Sequence, residues 1–193
     1  MADVKRIGKI VVLAVLVLGL AYPLAFVGLS RIVHSRADGN IVSQNGTPIG
    51  AQNIGQEFTS PGFFHGRPSA AGDGYDAMKS GGSNLGPNSP KLLAEVRTRI
   101  ARLKKENPGL ETRDIPVELV TASASGLDPN ISPESALLQV PRIAASRHLP
   151  ESTLTQLVRS RTHGRFLGIF GQPTVNVLDL NVKLVRLQES GGQ

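Results

Sequence analysis

Two short stretches rich in glycine and hydroxyl side chains hold the groups best suited to ligand chemistry in this chain. The first runs Lys79-Ser80-Gly81-Gly82-Ser83-Asn84-Leu85-Gly86. Successive backbone N–H groups and hydroxyls of this kind can wrap an anion, and a helix predicted to begin at Pro90 would add its N-terminal dipole. The second, Thr121-Ala122-Ser123-Ala124-Ser125-Gly126-Leu127-Asp128-Pro129, supplies Thr121, Ser123, Ser125 and Asp128 beside Gly126. It reads equally well as a long capped turn between two elements. Asp128, Asn84, Asn176 and Asn181 complete the candidate contact residues. Each could face a partner or merely close a turn.

The usual catalytic patterns are missing. No G-x-x-x-x-G-K-[ST] run is present to cradle phosphates. His34, His65, His148 and His163 are scattered, without the spacing that puts two imidazoles on one helical face. Ala122-Ser-Ala-Ser-Gly126 is not a G-x-S-x-G elbow. Asp73 and Asp76 flank Gly74 outside any EF-hand pattern. The chain contains no cysteine, which excludes disulfides, thiolate metal sites and cysteine nucleophiles. Neither a catalytic residue nor a metal site is assigned, and no covalently bound cofactor is expected.

The elements that carry these loops begin with an apolar run. Ile10 to Leu29 contains no charged residue. As a helix rising about 1.5 Å per residue, such a run spans the ~30 Å hydrocarbon core once. Lys5, Arg6 and Lys9 would also suit a secretory signal, but the run exceeds a usual h-region and ends without a small-x-small site. The anchor reading is therefore favoured over the cleaved signal. Pro23 lies inside the span and is expected to kink it. The basic residues on both sides give little positive-inside bias, and a long trailing domain is translocated largely regardless of charge. The domain is thus expected outside the membrane, with residues 1–9 in the cytoplasm and 10–32 as the span.

Residues 33–53, with Gly39, Asn45-Gly46 and Pro48, read as a linker. Residues 54–189 read as one soluble α/β or α+β domain, followed by a flexible tail at 190–193. Within it, Ile54–Phe58 and Ile115–Thr121 are expected as strands. The glycine-rich stretch Pro61–Pro87 is expected to be an ordered loop, because Phe58, Phe63, Phe64 and Tyr75 carry too much apolar area for a floppy linker. Ser89-Pro90 caps a helix through Lys105. Ser132-Pro133 opens a second helix, kinked at Pro141. A third runs from Glu151 to Thr162. Val175–Leu187 divides between strand and helix near Leu178.

Hydrophobic residues make up 40% of the chain and aromatics only 4%, with no Trp. A base-stacking surface is therefore not expected. The net charge of +6 sits largely on one helix, at Lys91, Arg97, Arg99, Arg102, Lys104 and Lys105, whose other face is apolar. That is a solvated helix face, and no nucleic-acid motif accompanies it.

Five blocks in order carry a resemblance. They are Phe63-Phe-His-Gly-Arg-Pro-Ser69, Ser80-Gly-Gly-Ser-Asn-Leu-Gly-Pro87, Thr121–Asp128-Pro129 with Ile131-Ser-Pro133, Gln139-Val-Pro-Arg-Ile-Ala144, and Gly171-Gln-Pro-Thr-Val-Asn-Val-Leu178 with Leu180-Asn181. Behind an N-terminal anchor, they closely resemble the C subunit of the bacterial Kdp potassium-transporting P-type ATPase, from the anchor to about Leu187. The resemblance implies a non-catalytic single-span subunit of the inner membrane that assists assembly and raises the ATP affinity of the pump subunit. Its implied partners are a channel-like potassium-translocating subunit, an ATP-hydrolysing P-type subunit and a small single-span subunit. The chain itself has neither the Asp-Lys-Thr-Gly phosphorylation motif nor a Thr-Val-Gly-Tyr-Gly filter. Asn130 stands where His is often found, so no imidazole role is carried to that turn. Ser80-Gly81-Gly82, and the tail Ser190-Gly191-Gly192-Gln193, are similar to the signature by which ABC transporters contact ATP. Direct ATP contact would need a cytoplasmic domain, which conflicts with the expected topology. The alternative is an anchored extracytoplasmic module that binds an anionic ligand through the glycine-serine loops.

Overall fold

The computed structural model describes residues 2–44 and 46–191. Contacts divide the chain into two units, Met1–Ile41 and Val42 onward.

The first unit is helical from Asp3 to Ala37, with a mean hydropathy of 2.7 over its most apolar window. It is long and apolar enough to cross a membrane. Helix α1 covers Ala2–Ala14, a π-helical stretch covers Val15–Ala21, and α2 covers Tyr22–Ser30. A 3₁₀ turn at Arg31–Val33 and the short α3, His34–Ala37, end the rod. The π stretch is the helix's answer to Pro23, which has no N–H to give the carbonyl four residues back. Just ahead of it, the Tyr22 N–H already bonds Val17 O, five residues back. Apolar side chains point outward all round the rod, and none of its apolar window is buried. Water does not suit such a surface; lipid or neighbouring helices do.

From Ile41 onward the chain forms a two-stranded ladder, β1 (Ile41–Gln44) and β2 (Thr47–Ala51), where a linker was expected. Residue 45 of the Asn45-Gly46 turn lies outside the described residues, as do residues 192 and 193 of the tail. Four later helices enclose the main core. They are α5 (Pro133–Leu138), α6 (Val140–Arg147), α7 (Glu151–Ser160) and α8 (Val177–Gly191). A three-stranded antiparallel sheet lies among them, ordered β3 (Asn130–Ile131), β5 (Thr174–Asn176), β4 (Thr162–His163). Ile131 pairs with Val175, which pairs with Thr162 on its other side. Phe64, Ile131, Ile143, Leu154, Val158, Val175, Leu180 and Leu184 form the dry centre. A smaller cluster joins α4 (Pro90–Glu106) to the next segment through Leu103, Leu119 and Val120.

Capping follows the sequence closely. Ser89 Oγ accepts from Leu92 N, and Ser132 Oγ accepts from Ser135 N at 3.0 Å. Pro141 does more than kink the second helix. It stands in the first turn of a new helix, so the expected single element is two, α5 and α6, meeting at Gln139.

Both strands expected upstream are corrected. Ile54–Phe58 is irregular. Ile115–Thr121 contains a 3₁₀ turn at Val117–Leu119. Pro116 offers no ladder donor but its carbonyl accepts from Leu119 N, while Val117 O accepts from Val120 N, Thr121 N and Thr121 Oγ1. The apolar alternation there serves one buried face of a turn, not a sheet.

Residues 52–89 contain no helix or strand, yet Phe64 is fully buried among them. An extended backbone in the core must have its polar groups paired. Asn181, on α8, does this for Phe64: Oδ1 accepts from Phe64 N and Nδ2 donates to Phe64 O, both at 2.9 Å. Gln139 does the same for His65, accepting from its N–H at 2.8 Å and donating to its carbonyl at 3.0 Å. The loop is ordered and anchored by its aromatics, as expected, but its fixity comes equally from two side-chain amides.

Replacing Asn181 with the similarly shaped Leu strands both Phe64 groups in the core. At roughly 1–3 kcal/mol for each unsatisfied group, Asn181→Leu is expected to destabilise the domain by about 3 kcal/mol. Thermal unfolding should register this as a fall of about 8 °C in melting temperature.

Candidate functional site

The structure brings the two glycine-serine clusters against each other, backbone to backbone. Ser125 O accepts from Gly81 N at 2.8 Å and from Ser80 Oγ at 3.0 Å. Ser123 O accepts from Gly126 N, and Ser125 Oγ accepts from Leu127 N. Gly126 is held at φ +67°, and a Cβ there would lie 2.6 Å from Gly81 O and 2.7 Å from Ala71 N. The strands of loop touch so closely at this point that only glycine fits. Gly82 packs almost as tightly, its Cβ position 3.0 Å from Ala124 O.

The consequence for chemistry is direct. Donors that could have cradled an anion are turned inward: Gly81 N and Ser80 Oγ onto a carbonyl of the partner loop, and Gly126 N onto Ser123 O of its own. Ser123 is buried within the junction, while Ser83, Asn84 and Ser125 remain exposed on its rim. Asn84 adopts the left-handed conformation at φ 51°, a turn-forming role that Asn tolerates. Thr121 closes its own turn through Val117 O.

Asp128 belongs to the same neighbourhood. Its Oδ2 lies 3.3 Å from Arg67 Nη1, and its Oδ1 accepts from Asn130 N at 3.0 Å. Arg67 also reaches Ala122 O. The remaining two candidates are elsewhere. Asn176 caps α8 by accepting from Asp179 N and donates to Gln52 O at 2.8 Å. Asn181 holds Phe64. Of the twelve candidates, the structure therefore gathers the Ser80–Asn84 and Thr121–Asp128 groups and separates Asn176 and Asn181 from them.

Beside Arg67 opens a cavity of about 370 Å³ whose lining includes Glu57, His65, Tyr75, Arg99, Arg102 and Glu106. Its cations are already engaged. Arg99 donates to Val120 O and pairs with Glu95, and Arg102 pairs with Glu106. Burial, reinforced by Glu57, pushes the Tyr75 phenol up to about 12, so it stays protonated and donates to Arg67 O. Burial would raise the Glu118 carboxyl too. Hydrogen bonds from Ser135 and Ser132 outweigh that and hold it below the usual carboxylate range. Among the described residues, no group of three or more His, Asp or Glu side chains could hold a metal ion.

Several residues that shape this region escaped the sequence reading. Gln139, Arg142 and Arg147 fasten the loop that carries Phe63 and His65. Arg142 donates to Phe63 O and to Gln139 Oε1, and Arg147 lies 4.4 Å over the Phe63 ring. A glutamine or arginine on a helix carries no sign that its partner is a loop about eighty residues away.

The family model described as "K+-transporting ATPase, c chain" (KdpC) matches residues 5–186. A relative from Methylobacterium nodulans, named Potassium-transporting ATPase KdpC subunit, is 52% identical over 185 residues, covering 89% of this chain and 90% of its own length. Similarly named relatives from Koribacter versatilis and Caldanaerobacter subterraneus are 48% and 44% identical. They cover 90% and 95% of this chain, and 89% and 94% of their own lengths. The chain belongs to the KdpC family.

His65 gives this region a pH signature. Burial, then the nearby Arg142 guanidinium, lower its pKa. Its Nε2 lies 2.9 Å from Ser60 O, and Nδ1 is 3.8 Å from Glu106, an ion pair only when the ring is charged. Because the folded value lies below the unfolded one, the unfolded chain binds the proton more readily. The stabilisation is present above about pH 6.5 and is lost as pH falls through the folded value. Melting temperature should therefore drop more steeply between pH 7 and 5 in the wild type than in His65→Gln.

Proposed function

We propose that this KdpC-family chain is a non-catalytic accessory subunit of an ATP-driven potassium importer in the bacterial inner membrane. Its single span holds it beside a channel-like potassium-translocating subunit, an ATP-hydrolysing P-type subunit and a small single-span subunit. Its domain lies on the extracytoplasmic side. From there it acts as a catalytic chaperone, raising the ATP affinity of the pump subunit through contacts in the assembly.

One observation carries this reading above a nucleotide-binding role. The glycine-serine loops spend their inward donors on each other, at 2.8 Å from Gly81 N and 3.0 Å from Ser80 Oγ to the same Ser125 carbonyl. A phosphate cradle needs those N–H groups free and convergent. A locked loop pair instead offers a rigid surface, which suits a subunit whose effect is exerted by contact. Raising affinity at a distance requires only that the domain bind the ATP-competent state of the assembly more tightly than the other state.

Pumps assembled with and without this chain supply the test. Without it, the apparent KM for ATP is expected to rise about tenfold, within the usual range of coupling between distant sites. Saturating ATP should leave the melting temperature of the purified full-length chain unchanged. Unaltered assembly and KM on deletion would contradict the accessory role. An ATP-dependent rise in the chain's own melting temperature would show direct nucleotide contact instead.

A further inference from the structure

The hairpin between β4 and β5 ends in an apolar tip that no other described residue covers. Phe166, Leu167, Ile169 and Phe170 are 71%, 74%, 73% and 63% exposed. Single exposed apolar residues are ordinary, but four large ones within five positions mark a surface made to be covered. The tip is also closed on itself. Phe166 N donates to Phe170 O at 2.8 Å and Phe170 N donates to Phe166 O at 2.9 Å. Leu167 is held in the left-handed region at φ 53°, a conformation that disfavours a branched, apolar side chain.

We propose that this finger is a docking element that inserts into an apolar cleft with a carboxylate rim on another subunit of the same pump. The inference rests on the accessory-subunit reading and adds the contact by which the domain is held. Three observations choose the occupant. From Ser152 to Leu178 the sequence contains no Asp or Glu. Arg165, at the base of the tip, and Arg159, on α7, are exposed and have no ion pair among the described residues, whereas Arg161 is paired with Asp179 at 3.6 Å. An apolar point with unpaired guanidinium groups behind it is complementary to an apolar pocket edged by acids. Finally, the reciprocal backbone bonds and the left-handed Leu167 set the four side chains at fixed angles. A shaped protein pocket rewards that preorganisation, and a fluid bilayer does not. Trp and Tyr, the residues enriched at the headgroup level of membranes, are both absent from the finger.

The patch alone is too small for a stable complex, which buries upward of about 1,000 Å² in total. The span supplies the rest. Two separate weak contacts on one chain act with a high effective concentration once the first is made.

The test uses the complete pump carrying a photo-crosslinking amino acid at Leu167, alongside the double variant Phe166→Ser/Phe170→Ser. The expected results are a cross-link from position 167 to another pump subunit and at least a tenfold loss of the double variant from the detergent-purified complex. Because the tip is exposed, the variant's melting temperature should match the wild type, which separates docking from folding. Cross-links to lipid only, or to a second copy of this chain, would overturn the proposal, as would full retention of the double variant. If the wild-type chain itself fails to co-purify, the accessory reading falls and the docking inference with it. If the wild type co-purifies and the variant does so equally, the docking inference alone falls.

Discussion

The domain depends on two side-chain amides that treat a loop as though it were a strand. Asn181 and Gln139 each give one hydrogen bond and take one from the backbone of Phe64 and His65, respectively. Adjacent residues of an extended segment are thereby satisfied as they would be by a neighbouring strand, without a sheet. Only with those four groups paired can Phe64 sit fully buried among α6, α7 and α8. With Phe64 seated, the segment on either side is directed outward. One end brings Phe63 under Arg147, and the other brings Arg67 to Asp128.

From that anchor the glycine-serine junction follows. Arg67 ties the Phe64 segment to the Thr121–Pro129 turn, and Ala71 is packed so close to Gly126 that no side chain fits between them. The Ser80–Gly82 stretch then completes the junction by donating to Ser125 O. What looks in sequence like a flexible, ligand-hungry pair of loops is a locked structural joint. Rigidity of this sort suits the contact-making role proposed above. Among the exposed apolar residues of the domain, the finger at Phe166–Phe170 concentrates four within five positions.

Much of this was legible in the sequence, and the limits were physical. The span announced itself by length and lack of charge. Helix starts at Ser89-Pro90 and Ser132-Pro133 were readable because capping is local chemistry. The strands were legible only in part: the division of Val175–Leu187 near Leu178 is met by β5 at Thr174–Asn176 and α8 from Val177, while the two expected upstream do not form. Ile115–Thr121 alternates like a strand, but Pro116 removed a ladder donor and the chain turned instead. The hairpin over residues 41–51 did have a signal, the Asn45-Gly46 pair between two short runs, which fits a hairpin turn as well as a linker. The candidate loops were found by residue type, yet the contact that locks them together joins residues distant in the chain, Ser80 and Gly81 to Ser125. No local pattern encodes such a pairing. The apolar finger left a signal that composition could have shown, a five-residue apolar run amid arginines in a segment without acids.

The proposed function puts a contact-making domain outside the membrane that its own helix is proposed to cross, remote from ATP. Compartment is therefore its most direct test. The chain has no cysteine, and Met78 is 92% exposed, so Met78→Cys introduces a single accessible thiol. The account predicts that a membrane-impermeant thiol reagent modifies it in intact cells whose outer barrier has been removed. Protection until the inner membrane is opened would contradict it.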